Sequence, residues 1–168
     1  MSVVDEDGFR HNVGIVVVNA SKEVLIANRS HKHQAWQFPQ GGMKKNETTT
    51  QAMYRELEEE IGIDSDAVSL LKESDHWYSY RLPIGYWRLN STPLVVGQKQ
   101  KWFLLQLIAD DDAIQLDRSK KPEFDEWRWA SYWEPVECII DFKKEVYQQV
   151  LTEFEPLLTL VKHKTDNG

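Results

Sequence analysis

Residues 41–63 read GGMKKNETTTQAMYRELEEEIGI, and this stretch decides the fold of the chain. The run from Thr48 to Ile61 contains no glycine or proline and is rich in residues that favour helices. Gly41 and Gly42 precede the run and Gly62 follows it, and glycines commonly end helices. The stretch therefore predicts one helix, Thr48–Ile61, between two glycine breaks.

Three acidic residues of the predicted helix, Glu56, Glu59 and Glu60, are spaced by three or four positions and so share one face. Met53 and Leu57 belong to a neighbouring apolar stripe that would be buried and would fix the orientation of the helix. Carboxylate oxygens gathered in this way suit Mg²⁺ or Mn²⁺. The spacing therefore indicates a metal site.

A solvated acidic helix face is the alternative interpretation of these glutamates. Like charges at this spacing cost only about 0.2–0.5 kcal/mol on an exposed helix. In a partly desolvated cleft, two carboxylates about 5 Å apart would repel by about 3 kcal/mol and would need a cation. The surrounding pattern favours the metal site, because Gly41 and Gly62 stand at fixed offsets and Arg55 and Glu47 can form an internal ion pair.

The composition is that of an ordinary soluble protein. The 168 residues are 41% hydrophobic and 28% charged, and no run of about 18 apolar residues predicts a membrane span. We expect one domain over residues 1–168, with an acidic N-terminus that lacks the core of a signal peptide. Cys138 is the only cysteine, which fits a reducing cytoplasm, and its apolar neighbours predict that it is buried and inert.

Charge is distributed unevenly along the chain. The net charge of −7 argues against a protein that coats nucleic acid, yet residues 76–109 carry four Lys or Arg and no acid. Residues 8–46 carry six basic residues and one acid, Glu23. This segregation favours a chain that holds cations on one surface and a polyanion on the next. The alternative is that the two acid-poor segments are simply strands and their loops.

Alternating and apolar runs predict strands at residues 12–18, 23–27, 68–71, 77–81, 101–109 and 126–130. Residues 82–97 contain two prolines and two glycines and predict a long functional loop. A C-terminal amphipathic helix is predicted at about residues 142–161, interrupted near Pro156. Periodicity alone leaves the order of the strands open.

The stretch 41–63 matches every position of the pattern G-x5-E-x7-R-E-U-x-E-E-x-G-U, where U is apolar, and so resembles the signature of the Nudix hydrolases. The resemblance implies an α+β protein, an α/β/α sandwich with a mixed β-sheet, that cuts diphosphate linkages with bound Mg²⁺ or Mn²⁺, more than one ion being expected. The motif positions that it assigns to structure are Gly41, Gly42, Glu47 and Gly62.

Blocks spread over about residues 8–155 resemble one Nudix subfamily, the bacterial RNA pyrophosphohydrolases, historically grouped with dinucleoside-polyphosphate hydrolases. Among these blocks are GFR at 8–10, WQFPQGG at 36–42, GQKQKWF at 97–103 and PEFD at 122–125. The resemblance implies removal of pyrophosphate from the 5′-triphosphate end of RNA, or of phosphate from a diphosphate end, which leaves a monophosphate for decay. Hydrolysis of diadenosine or nucleoside polyphosphates stays open, and so does a non-catalytic sensor.

The resemblance also implies residue roles. Glu123 joins Glu56, Glu59 and Glu60 as a metal ligand, Arg55 belongs to the catalytic group, and Glu56 is the first choice for the general base, with Glu59 and Glu60 as alternatives. Side chains that hold the phosphate chain are expected to be Arg10, Arg29, Lys99 and Lys101. The first bases are expected at Tyr80, Ile140, Phe142 and Lys143. A monomer is expected, and any activating partner is unknown.

Overall fold

The computed structural model describes residues 3–32, 34–87 and 94–163. Its sheet is built on two long central strands, β1 (Phe9–Val18) and β7 (Gly97–Leu107). They run parallel, in register from the Phe9–Gly97 pair to the Val18–Gln106 pair. Every other strand pairing is antiparallel, so the sheet is mixed, as predicted.

The remaining strands are β2 (Val24–Arg29), β3 (Trp36–Gln37), β4 (Gln40–Gly42), β5 (Val68–Glu73), β6 (Tyr78–Arg81) and β8 (Phe124–Ala130). The central order is β3-β2-β1-β7-β5, while β8 pairs with β2 and β6 pairs with β7. On one side, β1 pairs with β2 through Val18 and with β4 through Asn12 to Gly14. This division brings the glycine pair of β4 alongside the middle of β1.

The predicted helix over Thr48–Ile61 has two parts. Helix α1 (Thr49–Glu56) begins with a capping box in which Thr48 and Gln51 bond to each other's backbone N–H groups. Leu57–Ile61 then form a π-helical turn, which ends at Gly62 with φ of +74°. The prediction of one regular helix was therefore wrong for its last turn. The whole segment packs on one face of the sheet through Met53, Leu57 and Ile61, all fully buried.

The opposite face of the sheet is covered by α2 (Glu134–Cys138) and α3 (Lys144–Phe154). Val146, Tyr147 and Val150 of α3 are buried there with Trp102 of β7 and with Phe38, which lies between β3 and β4. Since helices lie on both faces, the α/β/α sandwich is confirmed. The predicted C-terminal helix is shorter than expected. It begins and ends in 3₁₀ turns, and the second of these (Glu155–Leu160) contains Pro156, which lacks the N–H that an α-helix requires.

Further sequence predictions meet mixed outcomes. Cys138 is exposed at the end of α2, so the prediction that it is buried was wrong. The loop 82–97 holds a 3₁₀ turn (Ile84–Tyr86), while residues 88–93, including Arg88, lie outside the described residues. In the part of the chain that is described, no helix is both long and apolar enough to cross a membrane.

Candidate metal and phosphate site

The carboxylates of Glu56, Glu59 and Glu60 come together where α1 passes into the π turn. Each offers an oxygen that lies within 4.8 Å of the others, so one cation could contact all three. Glu56 is buried, Glu60 is half-buried and Glu59 is exposed. The cluster therefore extends from the protein interior to solvent, as a site for a metal ion and an incoming ligand must.

Gly41 lets the backbone of β4 approach this cluster. A Cβ atom at this position would lie 2.0 Å from the carboxylate carbon of Glu56, a distance that no side chain can tolerate. Gly42 makes a comparable approach on the other side of the strand, where an added Cβ would lie 2.1 Å from Nη2 of Arg10. The glycine pair thus places one strand between a carboxylate and a guanidinium.

Arg55 joins the helix to the loop that precedes it. Its Nε and Nη2 donate to the two oxygens of Glu47 at 2.7 and 2.9 Å, and Nη2 also donates to the Gly42 carbonyl at 2.9 Å. Nη1 donates to Glu56 at 2.7 Å. The hydrogen bonds from Arg55 hold the pKa of Glu47 down to about 2. Arg55, predicted among the catalytic residues, therefore lies where it orients Glu56.

The negative charge of Glu60 is opposed by both burial and neighbouring carboxylates. Burial, followed by the negative charges of Glu123 and Glu56, raises the pKa of Glu60 to about 8. Its Oε2 is buried and accepts no hydrogen bond from the described residues. Burial also raises the pKa of Glu56, although the bond from Arg55 opposes this. A bound cation would relieve this repulsion, so the oxygen donor set fits Mg²⁺ or Mn²⁺.

Glu123 approaches the cluster from the residue before β8. Its charge acts on both Glu56 and Glu60, although it stands 63 positions beyond Glu60 in the sequence. Its backbone carbonyl accepts a hydrogen bond from Ser30 N at 2.8 Å. The structure therefore brings Glu123 near two of the predicted ligands, while the oxygens that lie within 4.8 Å of one another belong to Glu56, Glu59 and Glu60 alone among the described residues.

A cavity of about 550 Å³ lies on the sheet face that carries α3. Five of the predicted substrate-binding residues line it: Arg29, Tyr80, Ile140, Phe142 and Lys143. The Phe142 ring lies 5.7 Å from that of Tyr80 and 5.2 Å from that of Tyr86, with centroids as the reference points. The cavity thus has an aromatic wall at which a nucleobase could stack.

Lys143 links the cavity electrostatically to the carboxylate cluster. Its Nζ lies 5.8 Å from the centre of the Tyr80 ring. Burial and the neighbouring charge of Arg29 lower the pKa of Lys143 to about 8, and Glu123 opposes that shift. Arg10 lies nearby, since its charge acts on Tyr80. Two cations, Lys143 and Arg29, therefore line the cavity, and a third, Arg10, lies close enough for its charge to act on Tyr80.

Lys99 and Lys101 are not brought to this cavity. Tyr80 pairs across the strands with Gln98, and both line the cavity, so the residues that alternate with Gln98 along β7 point to the other face. The Nζ atoms of both lysines lie 5.9 Å from the Trp77 ring centre on that face, and Lys101 donates to the Ser74 carbonyl at 2.8 Å.

Sequence reasoning missed several residues of the cavity wall, namely Lys32, Trp36, Gln40, Tyr86 and Gln98. Gln98 could have been found by applying the alternation of side chains to a β7 strand that begins at Gly97. The position of Tyr86 carried no such signal, because it depends on the path of the loop after β6.

Comparisons with known proteins agree with this geometry. Residues 8–150 match the NUDIX domain family. The RNA pyrophosphohydrolase of Legionella pneumophila (strain Corby) is 53% identical over 156 residues, which are 93% of this chain and 89% of that protein. The RNA pyrophosphohydrolase of Histophilus somni (strain 2336) is 51% identical over 152 residues, covering 90% of this chain and 79% of that protein.

Solved structures show the same fold at lower identity. The E. coli dihydroneopterin triphosphate pyrophosphohydrolase superposes with a TM-score of 0.66 at 20% identity, over 84% of this chain and 94% of that one. A C. elegans Ap4A hydrolase binary complex superposes with a TM-score of 0.63 at 20% identity, over 88% of this chain and 98% of that one.

Proposed function

The chain belongs to the Nudix family of hydrolases, and from that premise we propose that it removes pyrophosphate from the 5′-triphosphate end of RNA, or phosphate from a diphosphate end. The product is a 5′-monophosphate end, from which RNA decay can start. We place this activity in the cytoplasm and assign it to a monomer.

The observation that carries the proposal is the aromatic wall of the cavity, which the basic residues Arg29 and Lys143 also line. A metal cluster alone suits any diphosphate, since it contacts only phosphate oxygens. The wall formed by Tyr80 and Phe142 adds a surface for an unpaired base, and Lys143, 5.8 Å from the Tyr80 ring centre, is a cation on which the charge of Glu123 acts. This arrangement suits a substrate whose phosphate chain ends on a stackable nucleotide.

Glu56, Glu59, Glu60 and Glu123 are the residues that would hold the divalent ions. When bound, such ions neutralise a phosphate chain and make water more acidic. Arg55 keeps one oxygen of Glu56 fixed at 2.7 Å, so the orientation of that carboxylate is set before substrate arrives. We therefore keep Glu56 as the proposed acceptor of the proton from the attacking water.

The cationic side chains have a separate task. We assign Arg10 and Arg29 to the phosphate oxygens, because guanidinium groups can donate two parallel hydrogen bonds to them. Lys143 is placed to contact the first phosphate or the base edge from within the cavity. Ile140, 44% exposed at the cavity rim, would close over the apolar side of a base.

A competition assay tests the proposed function. Purified protein with Mg²⁺ is offered 5′-triphosphorylated single-stranded RNA together with Ap4A, and the products are identified. We expect RNA to be consumed first, with release of pyrophosphate and a rate that falls steeply with salt. Comparable turnover of RNA, Ap4A and free ATP would show that the substrate assignment is wrong.

Substitutions separate catalysis from folding in the same assay. Glu59→Gln should reduce the rate at least a hundredfold while the circular dichroism spectrum stays unchanged, because Glu59 is exposed and its ion pair with Arg55, at 3.3 Å, is on the surface. Glu58→Gln is the matched control, since Glu58 is exposed in the same turn and faces Arg118 at 3.9 Å. A fully active Glu59→Gln variant would contradict the metal site.

A further inference from the structure

The sheet face opposite the cavity carries a second group of aromatic and basic side chains, at the end where β1 and β7 begin. We call it the β1–β7 face. It is formed by Phe9, His11, Trp77, Arg81, Lys99 and Lys101. Cross-strand register explains the grouping, because His11 pairs with Lys99 and Arg81 pairs with Gly97, the partner of Phe9.

Rings and cations alternate on the β1–β7 face. Arg81 Cζ lies 5.8 Å from the centre of the Phe9 ring. Lys99 and Lys101 both have Nζ at 5.9 Å from the centre of the Trp77 ring, and the centre of the His11 ring is 5.3 Å from that of Trp77. Trp77 is 36% exposed, so part of its ring surface remains available to a ligand.

The charge of the β1–β7 face is positive. Among the described residues, Arg81 and Lys99 form no ion pair within 4.0 Å. Three acids lie at its border: Glu73 at 4.0 Å from Lys101, Asp5 at 3.4 Å from His11, and Asp75, on which the charge of Lys101 acts. The proposed function does not use this surface.

We propose that the β1–β7 face binds single-stranded RNA downstream of the 5′ end, as an extension of the proposed function, on which this proposal rests. A sheet that presents rings for base stacking between cations for phosphates is a general solution for single-stranded nucleic acid. Trp77 is the stacking residue, and Arg81 and Lys99 contact the backbone phosphates.

The cavity and the β1–β7 face meet at strand β6. Strand β6 pairs only with β7 among the described strands, so its other side is an edge of the sheet. Tyr80 faces the cavity, and the next residue, Arg81, points to the β1–β7 face. An RNA chain that leaves the cavity over the β6 edge therefore reaches Arg81 first and Trp77 afterwards.

Binding and turnover of RNAs of two lengths test the proposal. We would measure the affinity for a fluorescent 16-nucleotide RNA with a 5′-hydroxyl by anisotropy, and kcat/KM for triphosphorylated RNAs of 2 and 16 nucleotides. We expect Trp77→Ala to weaken binding of the 16-mer on the order of tenfold and Arg81→Gln to reduce the salt slope by about one. Turnover of the 2-mer should stay at the wild-type value.

Trp133 provides the control for Trp77. Trp133→Ala removes a tryptophan that is 40% exposed but lies beside Glu155, and it should leave binding unchanged. Wild-type binding of the 16-mer by Trp77→Ala, or equal losses for both RNA lengths, would overturn the proposal. So would tighter binding of poly-glutamate than of RNA, which would indicate an acidic protein partner. Because the 5′-hydroxyl RNA is never hydrolysed, failure of this binding is distinct from failure of the proposed enzymatic function.

Discussion

Removing the charge of Glu60 should stabilise the metal-free protein. The pKa of Glu60 stands at about 8 instead of its ordinary 4.5, so ionisation of this group opposes folding. A shift of that size corresponds to about 5 kcal/mol at about 1.4 kcal/mol per pKa unit. Solvent screening of a half-buried carboxylate reduces this to about 2 kcal/mol. We therefore expect Glu60→Gln to raise Tm by about 4–8 °C at pH 8 in the presence of a chelator.

The pH dependence gives the sign of the effect. Because the folded-state pKa of Glu60 is raised, its cost is absent below about pH 4.5, grows between pH 4.5 and 8, and is constant above that. The stability of the wild type and of Glu60→Gln should therefore converge as the pH falls toward 4.5. Thermal or urea unfolding at a series of pH values measures this difference.

Addition of Mg²⁺ should make the wild type more stable than Glu60→Gln. The wild type gains stability when a cation binds its carboxylates, whereas Glu60→Gln has lost one ligand and gains less. Glu58→Gln is the matched control, because this exposed neighbour faces Arg118 and not the cluster. If Glu60→Gln were no more stable than Glu58→Gln in chelator at pH 8, the carboxylates would not be crowded as described.

Three further substitutions test the frame and the cavity. Gly62→Ala should lower the free energy of unfolding by about 2–3 kcal/mol, because the residue has φ of +74° and its Cβ would lie 2.1 Å from a backbone oxygen. Gly85→Ala is the control, since an added Cβ there meets nothing within 4 Å and should leave stability unchanged. Urea titration compares the two variants. Glu47→Gln should lower stability by about 1 kcal/mol at pH 7, and the difference should vanish as the pH falls from 4.5 through 2, since the pKa of Glu47 is depressed to about 2. Phe142→Ala should reduce kcat/KM for triphosphorylated RNA by about 5- to 100-fold with metal affinity unchanged by calorimetry; undiminished turnover would remove Phe142 from the base site.

Much of the candidate metal site could be predicted because its signals are local. Helix spacing alone places Glu56, Glu59 and Glu60 together, and the structure brings their oxygens within 4.8 Å. Glu123 was different, since only the resemblance to Nudix enzymes selected it from many loop carboxylates. Its approach depends on how β8 pairs with β2, a long-range contact that no local pattern encodes.

The errors arose where side-chain direction depends on where an element begins or on how it packs. Strand β7 was expected to start at residue 101 but starts at Gly97. Side chains alternate between the two faces of a strand, so Lys99 and Lys101 point away from Gln98, and the shorter predicted strand did not reveal this. Cys138 has apolar neighbours, yet at the end of α2 it is Ile139 that turns inward while Cys138 stays exposed. The π turn escaped prediction because no residue preference distinguishes it from an α-helical turn.

The π turn couples the spacing of the acidic motif to the length of the chain. A π turn closes i→i+5 hydrogen bonds, so it takes up more chain than the i→i+4 bonds of an α-helix. Loss of the codon for Glu58 would therefore allow ordinary helical bonding to form while the chain beyond Gly62 keeps nearly the same direction. Such a protein could still fold its sheet, but the two following glutamates would stand one position closer to Glu56 and lose the spacing that gathers the three carboxylates on one face. Selection on this segment therefore acts on its length as well as on its side chains.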